Sequence, residues 1–145
     1  MTKQEILFAL DITHPGGAPI RPGASWKSRD DLLQCWEGAD GVPSMADLEI
    51  ALAAHHAAEA LITARATTRA ALRAKWDSLP AWIRGPFHDK FAAANTLLDA
   101  GDYDAASAII RFAEIPTGYS LEEVGIFVIH RDELLAGINY LKTLR

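Results

Sequence analysis

The sequence predicts a mainly α protein, a helical bundle with one long Ala-rich helix and a small N-terminal loop/β unit. Three observations carry that prediction. Residues 45–79 contain no Gly or Pro, and their apolar side chains recur at helical spacing. Six Gly or Pro residues crowd between Pro15 and Gly23, a density that forbids a regular element there. The 145 residues are 50% hydrophobic and 23% charged, an ordinary globular composition able to bury a real core. The change in character near Pro43 divides the chain into a Gly/Pro-rich unit, 1–43, with one or two short strands, and a helical domain, 44–145.

The elements follow in order. Ile6–Ile12 (ILFALDI) fits a strand or an amphipathic helix, and Thr2-x-x-Glu5 would cap the helix. Leu32–Trp36 (LLQCW) is a strand candidate, bounded by Arg29-Asp30-Asp31 and by Gly38–Gly41. Ser44 supplies an N-cap hydroxyl for the long helix, and Asp47 an acid in its first turn, where the helix dipole favours it. Leu48, Leu52, Ala58, Leu61 and Ile62, Leu72, Trp76 and Leu79 recur near the 3.6-residue period. A straight helix of this length measures roughly 50 Å, whereas a compact domain of this size is roughly 38 Å across. The expectation is therefore a bend or break near Thr63–Thr68, or packing of part of the helix on another chain.

The remainder reads as shorter helices. Pro80–Gly85 reads as a turn, and Pro86 suits the first position of a helix to about Ala100, with Phe87, Phe91, Ala94 and Leu98 on one face. Gly101 is a C-cap, and Asp102 caps a helix from Tyr103 to about Ala113. Pro116 and Gly118 break the chain, and Ser120-x-x-Glu123 is a capping box opening a helix to about Leu144. Gly125–Ile129 is β-like by propensity, but the flanking period through Val124, Phe127, Leu134, Ile138 and Leu141 favours helix.

The chemistry-bearing residues are sparse. A net charge of −5 argues against a generally basic nucleic-acid binder. The single Cys35 excludes an intrachain disulfide and any multi-cysteine metal site, and beside Trp36 it reads as a small buried hydrophobe. No apolar run approaches a membrane span, and MTKQEILFALD has no signal pattern, so the cytoplasm is the expected place of synthesis. His55 and Glu59 share a helix face at metal-ligand spacing, with His56 between them, and His88-Asp89 is the nearest further donor pair. Together they sketch the skeleton of the HD phosphohydrolases, in which a metal pair activates water. The plainer reading, a solvent-facing His-His on an Ala-rich helix and an Asp in a helical first turn, is preferred, with no metal or cofactor expected. His130-Arg131-Asp132 copies the protein-kinase triplet, but Gly137 stands where that pattern needs Asn, and no phosphate loop exists.

One charge pattern stands out. Arg65, Arg69 and Arg73 step by four, so they form a stripe on one helix face, with Lys75 beside it and no acid between Glu59 and Asp77. Such a stripe is either a solvated face or a contact for phosphates or an acidic protein surface. Asp99, Asp102, Asp104, Glu122 and Glu123 are its natural counterparts, within the chain or on a neighbour. Of the four tryptophans, Trp36 and Trp76 read as core. Trp26 and Trp82 read as lids on the core or as interface anchors.

The Pro22-Gly-Ala-Ser-Trp26 turn, the Asp31–Gly38 run ending in Trp36-Glu37-Gly38, and the Val42-Pro-Ser cap before an Ala/Glu-rich helix form a layout. It resembles small tailed-bacteriophage or prophage virion and tail-associated proteins. Trp76–Phe87 followed by Leu97–Ala106 is similar to the second half of such proteins, so the likeness covers most of 22–113. It implies a structural or assembly component without catalysis, working through other protein subunits as a homo-oligomer or part of a particle. It also implies residence in the host cytoplasm when made, or in the virion, and it carries over no catalytic residues. Gly101–Ala106 also looks like half of a tetratricopeptide repeat, without a second copy. The alternatives are a small metal-dependent hydrolase using His55, Glu59, His88 and Asp89, and a regulator binding protein or nucleic acid through the arginine stripe.

Overall fold

The computed structural model describes residues 1–144. It is mainly α: six helices hold 71% of the chain, and no strand occurs among the described residues. They are α1 (Lys3–Thr13), α2 (Arg29–Cys35), α3 (Met45–Asp77), α4 (Ala81–Asp99), α5 (Tyr103–Arg111) and α6 (Leu121–Thr143). None is long and apolar enough to cross a membrane. The chain divides into two compact units, Met1–Ala60 and Leu61–Arg145. The division falls inside α3 and not at 43/44, because Met45, Leu48 and Leu52, in the first turns of α3, pack into the N-terminal core.

In the first unit α1, α2 and the start of α3 each open on a reciprocal cap. The Thr2 hydroxyl accepts from the Glu5 N–H while the Glu5 carboxylate accepts from the Thr2 N–H, and Ser28 with Asp31 repeats the arrangement. Ser44 and Asp47 do the same at the head of α3. Each pair satisfies donors that a helix start leaves without partners. Residues 6–12 are therefore helix. The strand expected at Leu32–Trp36 is a correction: Leu32–Cys35 belong to α2, and only Trp36 is extended. What remains of the β unit is one antiparallel bridge between Ile20 and Trp36, with Arg21 N–H on the Cys35 carbonyl and Glu37 N–H on the Pro19 carbonyl. The core is Ile6, Ala9, Leu10, Trp26, Leu32 and Leu48.

In the second unit the rest of α3 packs with α4, α5 and α6 around Leu72, Ile83, Phe87, Phe91, Ile110, Phe127, Leu134 and Ile138. Phe87 stacks on Phe127 with ring centroids 4.5 Å apart, and Trp76 stacks on Phe91 at 3.7 Å. α3 runs as one helix through 63–68, so the break that was one of the expected outcomes there does not occur. Its Ala supply and lack of Gly and Pro explain that continuity.

α4 departs from the expected start. It begins at Ala81 with Pro80 as N-cap, so Pro86 lies inside the helix and Pro80–Gly85 is not a free turn. A proline there removes the N–H that would have reached the Trp82 carbonyl four residues back. The Tyr119 hydroxyl donates to that carbonyl instead, at 3.2 Å. Gly85 helps from the other side, since a residue without Cβ escapes much of the clash with the following proline ring. At its far end α4 closes as expected. Gly101 takes φ +79°, its N–H reaches the Leu98 carbonyl, and Asp102 N–H reaches Leu97. Asp102 then caps α5 through the Ala105 N–H, and Ser120 with Glu123 caps α6.

Candidate functional site

The arginine stripe has its partners within the chain. Arg69 donates to the Leu98 carbonyl and, at 3.0 Å, to Asp99. Arg73 forks onto both Asp99 oxygens at 2.8 and 2.9 Å. Arg65 Nε donates to the Leu144 carbonyl at 2.6 Å. The three cations thus lie at the C-terminal ends of α4 and α6, where the helix dipole and unpaired carbonyls favour positive charge. Lys75 pairs with Glu133. Its ammonium, and then the His130 ring, hold the Glu133 carboxyl below its ordinary range. The stripe therefore fastens α3 to its neighbours. Of the two places expected for its acidic counterparts, these partners are the ones within the chain, and Arg73 stays 57% exposed at its side chain. Asp99 was among the acids expected to answer the stripe. The Leu98 carbonyl was not, because a backbone acceptor leaves no mark in composition.

The tryptophans divide differently from expectation. Trp26 is 4% exposed at the centre of the N-terminal core, neither lid nor anchor. Lys3 bonds to its carbonyl at 2.7 Å and lies 4.7 Å from its ring centroid. Trp82 is half-buried against the second core and tilts on Tyr119, with ring centroids 5.4 Å apart. Trp36, expected in the core, packs at its edge.

The metal-ligand candidates do not converge. His55 and Glu59 belong to the first unit, with Nε2 and Oε1 3.3 Å apart, and the His55 ring stands edge-on to Phe8 at 4.9 Å. His88 and Asp89 belong to the second unit. There His88 lines an open cleft with Trp76, Ala81, Arg84 and Gly85, while Asp89 lines a different one with Lys90, Ala93, Ile109 and Phe112. Among the described residues no three His, Cys, Asp or Glu side chains gather at ligand spacing.

Two surface features stand out, of which the sequence had suggested only the first, as a part of the long helix left for another chain to cover. From residue 53 to 63, every residue of α3 but His55 is exposed, although Glu59 is the only Asp, Glu, Lys or Arg there. Ile50, one turn earlier, is 68% exposed, and Ile62 is 63% exposed. The second feature is a shallow, mostly apolar groove of about 340 Å³ lined by Thr68, Ala71, Leu72, Lys75, Glu133 and Gly137. Gly137 lines that groove at a close approach of α3 and α6: a Cβ there would sit 2.6 Å from Leu72 Cδ2. The sequence signal for it is a glycine inside a helical period with no cap nearby, which marks a close approach of two elements.

No family model, no curated protein and no solved structure matches this chain.

Proposed function

We propose that the chain is a non-enzymatic structural or assembly component acting through protein–protein contacts, and that its setting is a tailed-phage particle. One observation carries the reading: the exposed stretch 53–63 of α3, rich in Ala and carrying Leu61 and Ile62 in solvent, with His56, Glu59 and Thr63 its exposed polar side chains. Leu61 and Ile62 side by side in solvent on an Ala-rich helix form an apolar patch of the kind that marks a protein contact. Isolated helix is marginal in water, so such a stretch gains most of its stability from being covered. The resemblance of its layout to small virion and tail-associated proteins is what suggests the phage setting. On this reading the chain is made in the host cytoplasm and finishes in the particle.

The test is made on assembled particles. In gradient-purified particles from a strain encoding the chain, it should band with the particle in a fixed ratio to other subunits. Deleting the gene should leave incomplete or non-infectious particles. Intact, infectious particles from the deletion strain, with the chain found only in the free fraction, would refute the proposal.

A further inference from the structure

We infer that the groove between α4 and α5 is a contact for a second copy of this chain, in which the Phe112 rings of two copies stack across a two-fold axis and Asp89 of each meets Lys90 of the other. The inference rests on the assembly reading, names one partner for it, and uses a surface other than 53–63.

The groove lies wholly within the second unit. It is open and mostly apolar, about 400 Å³ in volume, and lined by Asp89, Lys90, Ala93, Ile109 and Phe112. Phe112 is 73% exposed, more than any other Phe, Trp or Tyr among the described residues. The short turn at Gly101 folds α4 and α5 into an antiparallel hairpin. Ala93 and Ile109 stand eight residues before and after Gly101, and Lys90 and Phe112 stand eleven. Each pair therefore faces across the groove at one level, with the Asp89–Lys90 step on the α4 rim opposite Phe112 on the α5 rim.

This pattern is its own complement. Pro86, Asp89, Lys90 and Ala93 follow the i, i+3, i+4, i+7 spacing of one helix face, and all four are exposed. A two-fold axis that crosses the groove from the middle of the Asp89–Lys90 step to Phe112 lays α4 antiparallel to its copy. It sets Asp89 opposite Lys90 twice, Pro86 opposite Ala93 twice, and Phe112 on Phe112, the isologous arrangement of a closed dimer. Aromatic rings paired in this way gain beyond the area they bury.

Charge selects the second copy as occupant. Neither Asp89 nor Lys90 has an ion pair or a side-chain hydrogen bond among the described residues. Arg111 and Glu114, on either side of Phe112 in the chain, add one more charge of each sign. An acidic or a basic partner would gain from one rim charge and lose to the other. A copy turned by the two-fold satisfies both, twice.

The test is solution mass with charge exchange. Light scattering should give a dimer of twice 15.8 kDa. Asp89→Lys leaves two cations on the rim and Lys90→Asp leaves two carboxylates. Each should raise the dimer dissociation constant at least about tenfold, with helical content by circular dichroism unchanged. Mixed in equal amounts, the two variants should pair with each other, and the double exchange Asp89→Lys, Lys90→Asp should pair with itself. Phe112→Ser should yield monomer, whereas Leu121→Ser, at a side chain 92% exposed and outside the groove, should leave the dimer intact. A monomer at every concentration, a dimer indifferent to Phe112→Ser, or single charge variants that fail to pair when mixed overturns the pairing. The particle experiment stands apart from these results: a chain monomeric in solution yet banding with particles refutes the pairing alone, and a dimer absent from particles refutes the assembly role alone.

Discussion

Replacing Gly137 by alanine sets two effects of similar size against each other. In an exposed helical position the exchange stabilises by up to about 1 kcal/mol, because alanine loses less backbone entropy. At Gly137 the new methyl carbon would lie 2.6 Å from Leu72 Cδ2 and 3.2 Å from Cγ. Ordinary carbon contacts are about 3.5–4.0 Å, so Leu72 must retreat by about 1 Å. It cannot do so freely, being only 8% exposed and part of the second core. Overpacking of this kind costs about 1–3 kcal/mol. The net expectation is a loss of about 1 kcal/mol, a fall in Tm of about 4–8 °C for a unit of this size. Gly125→Ala is the control: it lies in the same helix with nothing within 4 Å of its added carbon, and it should raise Tm. Both are read from thermal melts followed by circular dichroism, with urea titrations for the free energies. Leu72→Ala, itself costing about 2–5 kcal/mol, should abolish the penalty of Gly137→Ala in a double-mutant cycle. If Gly137→Ala stabilises as much as Gly125→Ala, the close approach of α3 and α6 at this point is wrong.

Tyr119→Phe removes the donor to the Trp82 carbonyl and should cost about 1 kcal/mol in urea unfolding, whereas an unchanged midpoint would show that Pro86 needs no such compensation. Asp99→Ala leaves Arg69 and Arg73 without their carboxylate, but that side chain is 54% exposed, so the loss should stay below about 1 kcal/mol and shrink in high salt. Glu133 has its carboxyl lowered from the usual 4.5 by Lys75 and then His130, so its contribution is complete above pH about 4.5 and disappears as pH falls through the lowered value. Glu133→Gln should therefore flatten the acid limb of a stability–pH curve and leave its neutral region the same shape; an acid limb as steep as the parent's would disprove the linkage.

What could be read from the sequence was what depends on near neighbours. The Ser44, Asp102 and Ser120 caps, the Gly101 terminator and the apolar period of α6 all act within one or two turns, and all lie where they were expected. Leu32–Trp36 failed for a reason of the same scale: a five-residue apolar run looks alike as strand or helix, and the deciding cap, Ser28 with Asp31, lay outside the run. The start of α4 failed for a longer-range reason. Local rules place Pro86 at a first turn, and the hydroxyl that lets it sit deeper is 37 residues from the carbonyl it satisfies. Candidate site residues show the same division. The arginine stripe follows from spacing, while its seat on carbonyls at the ends of α4 and α6 depends on tertiary packing. Trp26, in a Gly/Pro-rich stretch, is core because α1 and α2 supply the walls around it.

The division of buried side chains into two clusters within a chain that shares one helix bears on how α3 comes apart. Its first turns are held by the six buried residues of the N-terminal core, and its last turns by the fifteen of the second. The amides of residues 45–60 and 61–77 therefore report different opening free energies, although an unbroken hydrogen-bond ladder joins them. The residues held by neither core are 53–63, so local opening of α3 is expected there, and a protease acting on the native protein should cut within that stretch before it cuts either end of the helix.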